Sequence, residues 1–133
     1  MKILLVEDEL ASRRTLISFL QPIGEVNICV NGNIALNVAK KALENNQPYE
    51  LIFLDIMISN LDGISTLKKI RQLEAQYGVK EHAKSKVIMT SANTDKDTIL
   101  KAAQAGCTSY MIKPIDKKRL YNEIRKHGFD TSE

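Results

Sequence analysis

The segment Leu51-Ile52-Phe53-Leu54-Asp55 is the strongest indication of the fold, because four consecutive apolar residues end directly on an acid. An unbroken apolar run of this length is typical of a strand that is buried on both faces of a parallel sheet. Similar runs recur along the chain at residues 3–6, 26–30, 87–89 and 109–112. We therefore predict five strands, most of them fully buried.

Amphipathic stretches separate these runs. The clearest helical face follows the i, i+3, i+4, i+7, i+8 spacing and consists of Ala35, Val38, Ala39, Ala42 and Leu43. Shorter apolar periodicities predict helices around residues 16–20, 64–70, 99–103 and 120–124. Gly106 is placed to end one helix in a left-handed cap, and Asp116 to begin the last one as its N-cap. Five strand–helix units predict an α/β fold, with helices on both faces of an open parallel sheet.

Composition limits the class of protein. The chain has 133 residues, 44% of them hydrophobic, which suits one domain; we predict that this domain spans residues 1–127, followed by a short tail at 128–133. The net charge of +3 is mild and spread along the chain, which argues against direct nucleic-acid binding. The apolar start runs straight into Glu7, too soon for a signal peptide or a membrane span, so we predict a cytoplasmic protein. Cys29 and Cys107 lack CxxC spacing and are expected to be small buried residues.

Acidic, hydroxyl-bearing or cationic residues follow four of the five apolar runs. They are Glu7 and Asp8 after the first run, Asp55 after the third, Thr90 and Ser91 after the fourth, and Lys113 and Pro114 after the fifth. Ligands of open α/β sheets bind beyond the carboxyl ends of the strands. Taken singly, each of these residues suits a helix cap or a wet turn. In this order at four strand ends, they predict one common site.

The types of residue at these strand ends indicate phosphoryl chemistry. Clustered carboxylates repel one another unless a cation is present, and Mg²⁺ binds to carboxylates, waters and phosphate oxygens. Asp55, on the central strand, can then act as a carboxylate nucleophile that forms an aspartyl phosphate. Lys113 can neutralise the other side of the phosphoryl group as a point charge.

At these residues the sequence resembles the receiver domains of response regulators, the CheY-like family, along essentially its whole length. The matching pieces, in order, are Leu4-Leu5-Val6-Glu7-Asp8-Glu9, Leu54-Asp55, Leu61-Asp62-Gly63, Ser91-Ala92 and Tyr110-Met111-Ile112-Lys113-Pro114-Ile115. The resemblance implies a doubly wound, flavodoxin-like sheet with strand order 2-1-3-4-5 and five helices.

The resemblance also implies a role for each residue of the metal and phosphoryl site. Asp55 is the expected phosphoacceptor. Asp8 is the expected direct ligand of Mg²⁺, for which Mn²⁺ can substitute; Glu7 would act through water, and Met57 would contribute its backbone carbonyl. Lys113 would pair with the phosphoryl group, and its bond to Pro114 is expected to be cis.

Two further residues are expected to form the switch. Ser91 would donate a hydrogen bond to the phosphoryl group, and the Tyr110 ring would turn inward when Ser91 moves, which reshapes the face of the last two helices and the last strand. In physical terms the phosphate shifts an equilibrium between two existing states. The implied partner is a histidine kinase or histidine phosphotransfer protein, with an unidentified downstream target. The implied catalysis is limited to the protein's own phosphorylation and dephosphorylation.

The chain departs from the family pattern in two places. The loop after the acceptor reads Met57-Ile58-Ser59-Asn60, where the family commonly carries Met-Pro at the positions of Ile58 and Ser59, so a φ constraint is lost. The polar, lysine-rich segment 74–86 is longer than usual, and we expect it to extend a helix and then form a tolerated loop rather than a partner surface.

Several alternatives stay open at this stage. The main one is a degenerate receiver that serves as a phosphorylation-independent interaction module. A haloacid-dehalogenase-type phosphatase is disfavoured because Met57 stands where such enzymes need a second acid, and a nucleotide-binding protein because the glycine-rich phosphate loops are missing. A receiver excised from a hybrid kinase is a further alternative to the stand-alone protein that Met1 and the short polar tail predict. Phosphorylation could also be linked to homodimerisation.

Overall fold

The architecture was obtained from a computed structural model, which describes residues 1–58, 62–92 and 94–132. Its five strands are β1 (Lys2–Val6), β2 (Glu25–Cys29), β3 (Leu51–Asp55), β4 (Lys86–Ser91) and β5 (Ser109–Ile112). The described α-helices are α1 (Leu10–Leu20), α2 (Gly32–Glu44), α3 (Gly63–Gln76), α4 (Lys96–Gln104) and α5 (Lys117–Lys126). The predictions about the loop at Ser59 and Asn60, and the motif position Leu61, lie outside the described residues.

The strands form one parallel sheet in the order β2-β1-β3-β4-β5, which confirms the predicted fold. Two apolar cores cover it. One packs α2, α3 and α4 against one face, and the other packs α1 and α5 against the opposite face. The central strand β3 is buried at every position, as its apolar run predicts, whereas β2 is partly exposed because it lies at the edge of the sheet. No described helix is long and apolar enough to cross a membrane.

Local capping follows the predicted residues. Gly106 has a φ of +99°, and its N–H and that of Cys107 donate to Ala103 and Ala102, which closes α4. The Asp116 side chain accepts from the N–H of Arg119 at 2.8 Å and begins α5. β4 is longer than the apolar run 87–89, because it begins at Lys86 and continues through Ser91. The reason is pairing, since Thr90 lies opposite Asp55 and Ser91 opposite Ile112.

The long polar segment after α3 is anchored by a buried ion pair. Glu74 is only 2% exposed, and its carboxylate accepts from Arg71 at 2.7 Å and from the N–H of Ser85 at 2.8 Å. The Arg71 guanidinium also donates to the carbonyl oxygens of Ser85 and Gly106. These contacts tie α3 to the start of β4 and to the end of α4, so the segment is held near both of its ends.

Candidate functional site

The acids predicted to meet at the sheet edge do meet. Asp55 ends the central strand β3, and Glu7 and Asp8 follow its neighbour β1. One carboxylate oxygen from each of the three residues lies within 4.8 Å of the other two. Glu7 and Asp55 are buried, at 1% and 5% exposed, whereas Asp8 is exposed to solvent. The cluster is thus buried at Glu7 and Asp55 and accessible to solvent at Asp8.

Lys113 bridges the two buried acids. Its Nζ donates to Glu7 Oε1 at 2.6 Å and to Asp55 Oδ2 at 2.7 Å. The residue directly follows β5, where its N–H donates to the Ser91 carbonyl at 2.8 Å and holds this side of the site against β4. The Lys113–Pro114 peptide bond is cis, as predicted.

The second Asp55 oxygen is also held. Oδ1 accepts from the N–H of Met57 at 2.9 Å, so both oxygens of the carboxylate have a donor. The Met57 side chain itself is 72% exposed. Asp55 therefore has a fixed orientation on the buried side of the acidic cluster.

The charges at the site do not balance. Three carboxylates face one ammonium group, which leaves two negative charges when all the acids are ionised. Burial and the neighbouring Asp55 raise the pKa of Glu7 to about 7, although Lys113 opposes the change. Burial alone would lower the pKa of Lys113, but its hydrogen bonds to Asp55 and Glu7 outweigh that effect and raise it. An all-oxygen cluster with this excess of negative charge, open on one side, suits a hard divalent cation such as Mg²⁺.

Helix α3 begins in contact with the acceptor strand. Asp62 caps the helix by accepting from the N–H of Ser65 at 2.9 Å, and these hydrogen bonds lower the pKa of the Asp62 carboxyl. The N–H of Gly63 donates to the Ile56 carbonyl at 2.9 Å. A Cβ at Gly63 would overlap the carbonyl oxygen of Asp55 and lie 2.7 Å from the Cα of Ile56. Only glycine fits, which explains this piece of the motif.

The family model for the response regulator receiver domain matches residues 3–125. The chain belongs to this family. Its acidic cluster, its bridging lysine and its strand order are therefore features of a receiver domain of two-component signalling. The acids and the lysine at the strand ends, on which the resemblance rested, lie close together.

Related proteins carry such domains within longer chains. The hybrid signal transduction histidine kinase L of Dictyostelium discoideum is 34% identical over 128 residues, which are 96% of this chain and 7% of the kinase. The probable C4-dicarboxylate response regulator DctR of Bacillus subtilis is 30% identical over 129 residues, which are 95% of this chain and 51% of that protein. This receiver domain thus spans at most about half the length of these relatives.

A solved receiver structure has the same architecture. The receiver domain of the sensor histidine kinase PA1611 from Pseudomonas aeruginosa PAO1, determined with a magnesium ion coordinated in its active-site cleft, is 26% identical. The match has a TM-score of 0.75 and covers 93% of each chain.

The remaining predicted site residues lie around this cluster. Ser91 is buried at the end of β4, one position beyond the partner of Asp55 in the sheet. Tyr110 lies in β5, partly buried, and packs against the core beneath α4. Their roles in switching, and the assignment of each metal ligand, stay predictions.

Sequence reasoning missed two contributors from α1. The Ser12 hydroxyl lies 3.4 Å from Lys113 Nζ, and Arg13 Nη1 donates to the backbone of the acidic turn. Both residues belong to the first turn of a helix that follows two predicted ligands. That position in the sequence was the only available signal, since hydroxyl and guanidinium groups are common on exposed helix turns.

Proposed function

We propose that this receiver domain accepts a phosphoryl group on Asp55, in a reaction that depends on magnesium. The observation that carries the proposal is the cluster of three carboxylates with one bridging lysine at the end of the central strand. Its relatives include histidine kinases, which supports a phosphohistidine of a kinase or phosphotransfer protein as the donor. A carboxylate oxygen of Asp55 forms the new P–O bond as the donor's P–N bond breaks, and the leaving imidazole keeps the electron pair.

The donors around Asp55 prepare it for this attack. The Met57 N–H and the Lys113 ammonium fix both carboxylate oxygens, so little reorientation precedes bond formation. Lys113 is already at the site and can follow the charge from the carboxylate to the incoming phosphoryl oxygens. Since phosphoryl transfer needs mainly positioning and neutralisation of charge, these residues supply what the step demands of the protein.

The residues present fit a magnesium ion. Asp8 and Asp55 would bind it directly together with the Met57 carbonyl, and Glu7 would do so through water. When bound, the ion neutralises charge on the phosphoryl oxygens. Mn²⁺ accepts the same oxygen ligands and is expected to substitute. Because Asp8 is exposed to solvent, we expect the ion and the donor to enter the site from its side.

Ser91 and Tyr110 are the proposed switch. Ser91 is buried beside the acceptor strand, so a new hydrogen bond to a phosphoryl oxygen would require its side chain to shift within a packed site. Tyr110 is one strand further out, against the core that includes α4. The phosphoryl group would thereby favour one of two packings of the β5 edge.

The test is intact-mass spectrometry after incubation with acetyl phosphate, in Mg²⁺ and in EDTA. Wild type should gain the mass of one phosphoryl group only with Mg²⁺. Asp55→Asn should gain none, and the control Asp97→Asn, an exposed acid in α4, should match wild type. Failure of wild type with acetyl phosphate, beryllofluoride and a panel of histidine kinases would refute phosphoryl transfer and leave the interaction module.

A further inference from the structure

The turn that carries Glu7 and Asp8 is held by an arginine from the helix that follows it. Arg13 Nη1 donates to the carbonyl oxygen of Glu7 at 3.3 Å and to that of Asp8 at 3.4 Å. The turn is also held by the Glu7 N–H, which donates to the Cys29 carbonyl at 3.1 Å, and by the Glu9 N–H, which donates to Glu7 Oε2 at 3.3 Å. Arg13 thus contacts the backbone carbonyl groups of both acids at once.

This backbone needs restraint because of the charges that it carries. The carboxylates of Glu7 and Asp8 lie close to each other and to Asp55, and their repulsion pushes the turn away from β3. Lys113 pairs with Glu7 and Asp55. Mg²⁺ requires nearly ideal octahedral geometry, so a shift of the turn would remove ligand oxygens from their positions.

We propose that Arg13 is a positioning residue for the magnesium site, acting through the carbonyl groups of Glu7 and Asp8. The inference rests on the proposed magnesium-dependent function. Arg13 does not itself act as a ligand, and its positive charge taken alone opposes the binding of a cation. Its two effects therefore have opposite signs, since positioning tightens Mg²⁺ binding and charge weakens it.

The opposite signs give a direct test against the neighbouring residue. Arg13→Met and Arg14→Met remove the same charge from the same helix turn and keep an aliphatic stem, but Arg14 is exposed. The Mg²⁺ dissociation constant would be measured by titration calorimetry at pH 8 and fixed ionic strength. Arg14→Met should bind Mg²⁺ as tightly as wild type or slightly more tightly. Arg13→Met should bind Mg²⁺ about tenfold more weakly than wild type. This is the low end of the loss of metal affinity that is typical when a residue supporting a ligand is removed, because the two hydrogen bonds of Arg13 are long.

A second readout does not involve the metal. In EDTA, amide hydrogen exchange at Glu9 should be faster in Arg13→Met than in Arg14→Met, because the turn has lost its restraint. Arg13→Lys keeps the charge and one donor, so it should recover part of the lost affinity. If Arg13→Met fails to unfold cooperatively, the pair Arg13→Lys and Arg14→Lys takes its place, with the same order of affinities and a smaller gap.

Two outcomes would overturn the proposal in distinguishable ways. If wild type binds Mg²⁺ and Arg13→Met binds it as tightly as Arg14→Met, the arginine does not position the site. If wild type binds no Mg²⁺ at all, the proposed function fails, and the role of Arg13 fails with it.

Discussion

The buried carboxylate of Glu7 should make the metal-free protein less stable as the pH rises. The pKa of Glu7 is about 7 in the folded state, against an ordinary value of 4.5, because of burial and the nearby Asp55. Between these pH values the folded state binds more protons than the unfolded chain, so the free energy of unfolding falls with increasing pH. The shift corresponds to a contribution of about 3 kcal/mol to the free energy of unfolding. This contribution is fully present below pH 4.5 and is lost as the pH rises through 7.

Urea denaturation followed by circular dichroism, in EDTA at pH 5 and pH 8, measures this loss. Glu7→Gln removes the titration and resembles the protonated residue, so it should match wild type at pH 5 and exceed its stability at pH 8. The expected excess is roughly 2 to 3 kcal/mol, or about 10 °C in Tm for a domain of this size. Glu25→Gln, at the exposed first position of β2, is the control and should keep the wild-type dependence.

Equal pH dependence in wild type and Glu7→Gln would refute the reasoning, because it would mean that Glu7 is ionised in the fold at no cost. Magnesium adds a second check at pH 8. Because Mg²⁺ is expected to bind only the folded state, it should raise the free energy of unfolding of wild type. The increase should be about 2.7 kcal/mol at a concentration 100-fold above Kd. The gain should be smaller at pH 5, where a proton on Glu7 competes with the metal.

Other substitutions test the supports of the site. Gly63→Ala pushes a methyl group against the backbone of β3 and should cost about 3 kcal/mol or more in urea denaturation, whereas Gly78→Ala meets open space and should cost only about 1 kcal/mol for its positive φ; equal costs would contradict the packing argument. Glu74→Ala breaks a buried ion pair and should cost about 3 kcal/mol, with a double mutant including Arg71→Ala less destabilised than the sum of the two single mutants; additive costs would show that the pair is not coupled. Asp116→Ala removes the cap of α5 and should cost about 1 kcal/mol, which thermal unfolding can measure; an unchanged Tm would show that the cap contributes nothing.

The sequence predicted the layout of the fold because the signals were local. Continuous apolar runs marked β1, β3 and β4, and the residues directly after them marked the site, since parallel strands bring their carboxyl ends together. The strand order came from the family resemblance and not from the runs themselves. The apolar run 87–89 does not by itself show how far β4 extends, because Thr90 and Ser91 are polar residues, and their pairing with neighbouring strands shows that they belong to the sheet.

Contacts between distant parts of the chain were not predictable. Glu74 begins the polar segment 74–86 in the sequence, yet its side chain is buried and accepts a hydrogen bond from the N–H of Ser85, just before β4. The pairing of Arg71 with the carbonyl of Gly106 joins residues 35 positions apart, and no spacing in the sequence indicates it. Arg13 is nearer to its partners, but its contacts depend on the angle at which α1 leaves the turn.

The features that predicted the site are also the ones that conflict with stability. A buried strand ending should be apolar or paired, and here two buried acids share a single lysine while a third acid lies beside them. Such local conflicts are expected where function requires them. With a divalent cation bound as proposed, the uncompensated charge would supply the binding energy, and the cation would reduce the repulsion between Asp55 and an anionic donor. Any substitution that relieves the conflict, such as Glu7→Gln, should therefore stabilise the fold and weaken Mg²⁺ binding together.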